Sequence, residues 1–161
     1  NADVAKTLLG NYAGPPCKTV TPLQGLQSYV SSKRIMYHPG CVSVDECSSA
    51  SIDQAVNVAK GADQVVLVMG LDQTQEREDH DRDHLLLPGN QQKLITRVAS
   101  AAKKPVVLVL LCGGPVDVSF AKYDNNIGSI LWAGYPGQAG GTALAEIIFG
   151  DHNPGEYLYF R

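Results

Sequence analysis

Three short apolar runs, each followed by a turn, are the feature that most constrains the fold of this chain. They cover residues 64–70, 105–111 and 127–133 and are rich in Val, Leu and Ile. Helical periodicity follows the first run at 89–102 and the third at 139–149. Because runs that are apolar on both faces alternate here with helices, the pattern predicts parallel strands with crossover helices.

Two helices and a short strand are predicted ahead of this pattern. Thr21 is predicted to cap a helix that ends near Ser31, and residues 34–37 are predicted to form the strand. Ser51 is predicted to cap a second helix, over 52–60, which stops at a glycine.

Together these elements predict one α/β domain over residues 1–161. It is doubly wound, with a mostly parallel sheet and helices on both faces in a three-layer α/β/α sandwich. No strand precedes Asn1, where such a fold usually has one, and a short aromatic tail follows Pro154. We therefore expect a piece of a larger protein that lacks its first strand.

Charge and hydropathy exclude two classes of partner. The net charge is -3 at pH 7, and Lys and Arg form no cluster, so the attraction to phosphate that nucleic-acid binding requires is missing. The longest apolar run, 105–112, falls well short of the roughly 20 residues of a membrane helix. We predict neither nucleic-acid binding nor membrane insertion.

The four cysteines divide by their surroundings. Cys112 ends an apolar run, which is typical of a buried thiol, whereas Cys17, Cys41 and Cys47 lie in polar loops. Their spacing matches no zinc pattern, so no metal site is predicted. Any two of the three loop cysteines could pair in an oxidising compartment, and the sequence leaves the choice open.

A loop crowded with charge, residues 71–83, follows the first apolar run. In open α/β sheets ligands bind beyond the carboxyl ends of the strands, so chemistry is expected in such a loop. Glu76 and Glu78 stand there among further acids and two arginines, Arg77 and Arg82. Neighbouring charges can keep one carboxyl protonated and another ionised, as general acid catalysis requires. The alternative is a solvated loop whose charges pair at the surface.

A glycine-rich turn, residues 132–141, follows the third apolar run and opens a helix, as phosphate-binding turns do. It lacks the Lys-Ser/Thr pair of a Walker loop, and Pro136 removes a backbone N–H. Close packing of strand and helix explains the glycines equally well, so no nucleotide cofactor is predicted here.

Seven segments, in order along nearly the whole chain, are similar to the second domain of glycoside hydrolase family 3, most closely to plant β-xylosidases and α-L-arabinofuranosidases. These segments are 10–14, 21–25, 68–73, 81–82 with 86–89, 113–118, 132–141 and 148–150. The resemblance implies a flavodoxin-like fold that packs against a barrel domain carrying a nucleophilic aspartate.

The resemblance also implies roles for the charged loop. Glu78, three residues ahead of Asp81-Arg82, is the first choice for the acid/base of a retaining exo-glycosidase, and Glu76 is the alternate. Asp79, His80, Asp81 and Arg82 are expected to bind substrate or support the loop. The family further implies no cofactor, pentose-containing oligosaccharides as substrates, and secretion to the plant cell wall.

Without the barrel, half of the catalytic pair is missing, so we expect negligible glycosidase activity from the chain alone. Its preference for xylose or arabinose is left open. Two alternatives remain. One is a stand-alone lectin-like protein that uses Trp132 and Tyr135 as platforms for sugar rings. The other is a flavodoxin-like binder of a nucleotide or flavin.

Overall fold

The structure, a computed structural model, describes residues 1–154. Its centre is a three-stranded parallel sheet made of β1 (Val66–Gly70), β2 (Val106–Leu111) and β3 (Ile127–Trp132), in the order β1-β2-β3. Each predicted apolar run contains one of these strands. The parallel α/β sheet is therefore confirmed.

Five α-helices lie among residues 1–154. They are α1 (Pro22–Tyr29), α2 (Ser49–Gly61), α3 (Gln91–Ala101), α4 (Ser119–Lys122) and α5 (Gly140–Phe149). Short 3-10 turns occur at Ala5–Leu8 and Ser32–Arg34. The helices predicted over 89–102 and 139–149 are thus present, with ends shifted by one or two residues.

Apolar side chains on both faces of the sheet bury β1 and β2 between helices, whereas most residues of β3 are exposed. Leu108 and Leu110 point to one face, where they pack with residues of α2, α3 and α4. Val109 and Leu111 point to the other, where they pack with Leu144 of α5, and α1 packs against α5. The three-layer arrangement follows, because alternate residues of a strand point to opposite faces.

The helix caps are set by side-chain oxygens. Thr21 caps α1 as predicted, accepting a hydrogen bond from the Gln24 N–H while the Gln24 side chain accepts one from the Thr21 N–H. The predicted cap of α2 is wrong. Ser48 is the cap, because its Oγ accepts the Ser51 N–H at 3.1 Å and so places Ser51 inside the first turn.

Residues 34–37 do not form the predicted strand. Their backbone forms no ladder with β1, and an open cavity of about 140 Å³ lies between Met36–Gly40 and the residues of β1. Residues 34–37 therefore pair with no strand, although their side chains favour an extended chain. Without that partner, β1 is an edge strand within residues 1–154. The predicted tail, 155–161, lies outside the described residues.

One disulfide, between Cys41 and Cys47, settles the choice that the sequence left open. Cys17 is exposed and free, and Cys112 is a buried free thiol, as its place in an apolar run predicted. The bridge closes a short loop whose Val44 carbonyl faces the interior, where it accepts a hydrogen bond from Gln91 at 2.6 Å.

Candidate functional site

The charged loop leaves the sheet at a rigidly held point. Gly70 ends β1 with φ +128°, and a Cβ there would lie 2.1 Å from the Leu111 carbonyl oxygen, so only glycine fits. The buried Gln91 side chain accepts the Gly70 N–H at 2.9 Å and donates to the Gly70 carbonyl at 2.6 Å. The sequence analysis missed Gln91, since its only signal is a polar residue at a helix start.

A tight turn forms the tip of this loop. The Arg77 N–H donates to the His80 carbonyl at 3.3 Å, and the His80 N–H donates to the Arg77 carbonyl at 3.0 Å. Asp79 adopts φ +61°, a left-handed conformation that Asp tolerates at a turn. Glu78 therefore stands exposed at the tip, and its carboxylate has no hydrogen-bond or ion-pair partner among residues 1–154.

In the Glu76 carboxylate, two residues earlier, both oxygens have polar partners. One oxygen accepts the Gly113 N–H at 2.7 Å and the Tyr135 O–H at 2.6 Å. The other accepts the Gly114 N–H at 3.2 Å and lies 3.5 Å from the Arg82 guanidinium. Its side chain is only 18% exposed. The two candidate carboxylates thus differ sharply in their freedom to meet a substrate.

Arg82 holds the far end of the loop. Besides its contact with Glu76, its guanidinium donates to the Pro115 carbonyl at 2.6 Å and is 13% exposed. The side chains between these two anchors, those of Asp79, His80 and Asp81, are exposed. The structure therefore places Arg82 where it supports the loop, and places the other three beside Glu78 at the surface.

Burial shifts the pKa of two groups beneath the loop. Burial, followed by the hydrogen bond to the Glu76 carboxylate, raises the pKa of the Tyr135 phenol well above its usual value, so this O–H remains a donor. Burial also raises the pKa of the Cys112 thiol to about 11. A buried thiol with so high a pKa is a poor nucleophile at neutral pH.

Three backbone N–H groups of the glycine-rich turn after β3, those of Gly137, Gly140 and Gly141, are bound to carbonyl oxygens of the protein. The Gly137 N–H donates to the Leu8 carbonyl at 2.8 Å, and the Gly141 N–H donates to the Val20 carbonyl at 2.9 Å. A Cβ on Gly141 would lie 2.0 Å from the Thr21 carbonyl oxygen. Close packing against the start of α1 therefore explains Gly141, and positive φ values of +62° and +78° explain Gly134 and Gly137. Because structural roles account for these glycines, the nucleotide-binding alternative is disfavoured.

Two open cavities flank the edge of β1, with volumes of about 140 Å³ and 250 Å³. Neither is lined by any residue from Glu76 to Arg82. Residues 1–154 contain no group of three or more His, Cys, Asp or Glu side chains arranged for a metal ion. Among the same residues, no helix is both long and apolar enough to span a bilayer.

Comparison with known sequences identifies the family. Residues 1–158 match the glycosyl hydrolase family 3 C-terminal domain. The chain belongs to this family. It is 74% identical over 158 residues to "Probable beta-D-xylosidase 7" of Arabidopsis thaliana, covering 98% of this chain and 20% of that protein. It is 49% identical over 154 residues to "Beta-xylosidase/alpha-L-arabinofuranosidase 1" of Medicago sativa subsp. varia, covering 96% and 19% respectively.

Solved structures of family 3 enzymes have the same fold. A family 3 exo-β-xylosidase in complex with a xylobiose aziridine probe superposes with a TM-score of 0.87 and 37% identity, covering 94% of this chain and 19% of that one. A β-glucosidase of Bifidobacterium adolescentis superposes at 0.77 with 33% identity, covering 88% and 20%. The chain thus spans about a fifth of the length of the family members it matches.

Three partners of Glu76 escaped the sequence analysis. The sequence indicates Gly113 and Gly114 only as part of a segment shared with the family, after the second apolar run, and Tyr135 only as part of a glycine-rich turn and a platform for a sugar ring. A signal was nevertheless present, because each of these residues follows a predicted strand. The carboxyl ends of parallel strands meet at one edge of the sheet, which brings the three following loops together.

Proposed function

We propose that this domain supplies the general acid/base, Glu78, of a retaining exo-glycosidase that acts on β-xylosides or α-L-arabinofuranosides. The observation that carries the proposal is the contrast within one loop. Glu78 is exposed at the tip of a turn without a partner among residues 1–154, whereas every oxygen of Glu76 is engaged. A group that must exchange a proton with a substrate has to be free to reach it.

The proposed chemistry needs a second carboxylate, which a barrel domain of the parent enzyme would supply roughly 5 Å from Glu78. That carboxylate attacks the anomeric carbon while the Glu78 carboxyl protonates the departing glycosidic oxygen. The Glu78 carboxylate then takes a proton from water, whose oxygen attacks the anomeric carbon and releases the nucleophile. Glu78 ends the cycle protonated, as it began.

Asp79, His80 and Asp81 lie beside Glu78 at the surface, and we assign them to the face that meets the substrate or the barrel. Arg82, with its contacts to Glu76 and Pro115, supports the loop from within. The substrates proposed are pentose-containing oligosaccharides of the plant cell wall. This assignment is supported by the names of the plant relatives, which include both β-xylosidases and α-L-arabinofuranosidases.

We further propose that the parent enzyme is secreted to the cell wall. The disulfide between Cys41 and Cys47 supports this location, because such bridges persist in oxidising compartments and are rare in the cytosol.

The experiment that tests the acid/base role is Glu78→Gln in the parent enzyme. We expect kcat/KM for xylosides with poor leaving groups to fall about 10² to 10⁴-fold, because their oxygen must be protonated as it departs. Nitrophenyl xyloside, whose leaving group needs little protonation, should lose far less. Glu46→Gln, at an exposed glutamate outside the loop, is the matched control and should change neither rate. Equal losses on both substrates would contradict the proposal.

A second experiment uses the 161-residue chain itself. Because the chain would hold only one of the two carboxylates, we expect no measurable release of nitrophenol from nitrophenyl xyloside. Measurable turnover of nitrophenyl xyloside by the purified chain would contradict this expectation. Tight binding of xylose or arabinose oligomers by the chain alone would instead favour the lectin-like alternative, for which the half-exposed Trp132 offers a platform.

A further inference from the structure

The Glu76 side chain joins the three loops that follow the three strands. It belongs to the loop after β1, accepts backbone N–H groups from Gly113 and Gly114 after β2, and accepts the Tyr135 O–H after β3. These partners lie between 37 and 59 residues away along the chain. A single carboxylate therefore ties together the whole carboxyl edge of the sheet.

The backbone around Glu76 leaves room for its carboxylate and little else. A Cβ on Gly114 would lie 3.0 Å from a Glu76 oxygen and 3.1 Å from the Arg82 guanidinium. A Cβ on Gly113 would lie 3.0 Å from the Tyr135 ring. At these two adjacent glycines, two N–H groups, a phenol and a guanidinium converge on one carboxylate, and hydrogen bonds to a carboxylate are stronger than those between neutral groups.

The same contacts fix both ends of the turn that carries Glu78. Glu76 anchors the segment immediately before Arg77, and Arg82 anchors it after Asp81 through the Pro115 carbonyl and Glu76 itself. The Tyr135 O–H remains protonated, because burial and the Glu76 charge raise its pKa, so this anchor persists across the neutral pH range. Between the anchors, the exposed tip has no other side-chain support among residues 1–154 than the Arg77 bond to the Gln73 carbonyl at 2.9 Å.

We propose that Glu76 is a positioning residue, which holds the turn of Glu78 at the height and orientation needed to meet the glycosidic oxygen. This inference rests on the proposed function of Glu78. Glu76 does not exchange protons with substrate, since its acceptor sites are filled by fixed donors. Its effect reaches Glu78 through the backbone of the turn, which begins at Arg77.

The test compares Glu76→Gln with Glu78→Gln in the parent enzyme. In Glu76→Gln an amide nitrogen must face at least one of the fixed donors, which displaces the loop. A misplacement of about 1 Å can cost about 10²-fold, and we expect a loss of that order in kcat/KM for poor leaving groups, with a smaller loss for nitrophenyl xyloside. The loss should appear in kcat rather than in KM, because the substrate contacts remain.

The pH profile separates positioning from proton transfer. The fall of kcat/KM at high pH reports the acid of the free enzyme as it loses its proton. We expect Glu76→Gln to keep this alkaline limb at a reduced rate and Glu78→Gln to lose it. Tyr135→Phe, which removes one donor and keeps the ring, is the milder variant. It should give a loss of about 3 to 10-fold with the same selectivity, the effect of about one hydrogen bond.

The possible outcomes distinguish failure of the positioning role from failure of the proposed function. Equal losses on both substrates in Glu76→Gln and Tyr135→Phe, with Glu78→Gln still selective, would overturn the positioning role and leave the proposed function intact. Loss of the alkaline limb in Glu76→Gln, with its retention in Glu78→Gln, would overturn both, because Glu76 would then be the acid. If Glu76→Gln fails to fold, the selectivity of Tyr135→Phe alone decides.

Discussion

The loop after β1 and the turn after β3 leave the same edge of the sheet, yet they differ in what they offer to a ligand. In the turn, the Gly137 and Gly141 N–H groups bond the Leu8 and Val20 carbonyls, and Gly141 packs against the Thr21 carbonyl at the start of α1. In the loop, the Glu76 carboxylate is bound by donors from the two other loops, whereas Glu78 is exposed at the tip. The same edge of the sheet thus holds one segment that is used for packing and one that exposes a carboxylate, and only the second fits the proposed role in meeting a ligand.

The largest expected effect comes from disrupting the packing of the glycine-rich turn. In Gly141→Ala the new Cβ would lie 2.0 Å from the Thr21 carbonyl oxygen, so α1 and α5 must separate. Overpacking against backbone should cost about 3 kcal/mol of unfolding free energy, measured by urea denaturation of the domain. Gly14→Ala is the control, since nothing lies within 4 Å of its Cβ position. Equal stability of the two variants would show that the turn is not packed in this way.

The next effect tests the hydrogen bonds that join the loop after β1 to the two other loops. Glu76→Ala leaves the Gly113 and Gly114 N–H groups and the Tyr135 O–H without their acceptor. Because Glu76 is partly exposed and water can reach some of these donors, we expect a loss of about 2 kcal/mol in unfolding free energy. Glu46→Ala serves as the comparison at an exposed glutamate. A loss no greater than that of Glu46→Ala would contradict the contacts described for Glu76.

The disulfide supports the start of the charged loop indirectly, through the Gln91 side chain. It closes the loop that contains Val44, whose carbonyl binds Gln91, which in turn holds Gly70 at the end of β1. Replacing Cys41 and Cys47 by serine should destabilise the domain by about 2 kcal/mol, as expected for so short a closed loop. Cys17→Ser, at an exposed free thiol, should leave the denaturation midpoint unchanged. A midpoint that shifts equally in both variants would refute a specific role for the bridge.

The smallest effect sharpens the contrast between the two glutamates. Glu78→Ala should change the unfolding free energy by no more than about 0.5 kcal/mol, because the side chain is exposed and without a partner among residues 1–154. Thermal or urea denaturation beside Glu76→Ala measures the difference directly. A cost above about 1 kcal/mol would mean that Glu78 makes contacts that restrict it, and its proposed freedom to reach a substrate would be lost.

Much of the fold could be predicted from the sequence because its signals are local. Apolar runs rich in Val, Leu and Ile became β1, β2 and β3, and Thr21 capped α1 through a side chain only three residues from its partner. The prediction of a strand at residues 34–37 was wrong because strand pairing is not a local property. An extended segment becomes a strand only when a neighbouring strand pairs with it, and no local pattern reports that pairing.

The sequence by itself determined the α/β class and the family, and it led to the proposal that the acid lies in the loop after β1. Tertiary structure alone decided which cysteines pair and which of the two glutamates is held. Glu76 and Glu78 are chemically identical and two residues apart, so nothing local distinguishes them. What distinguishes them is a set of donors 37 to 59 residues away, which the order of the strands brings to Glu76 and not to Glu78.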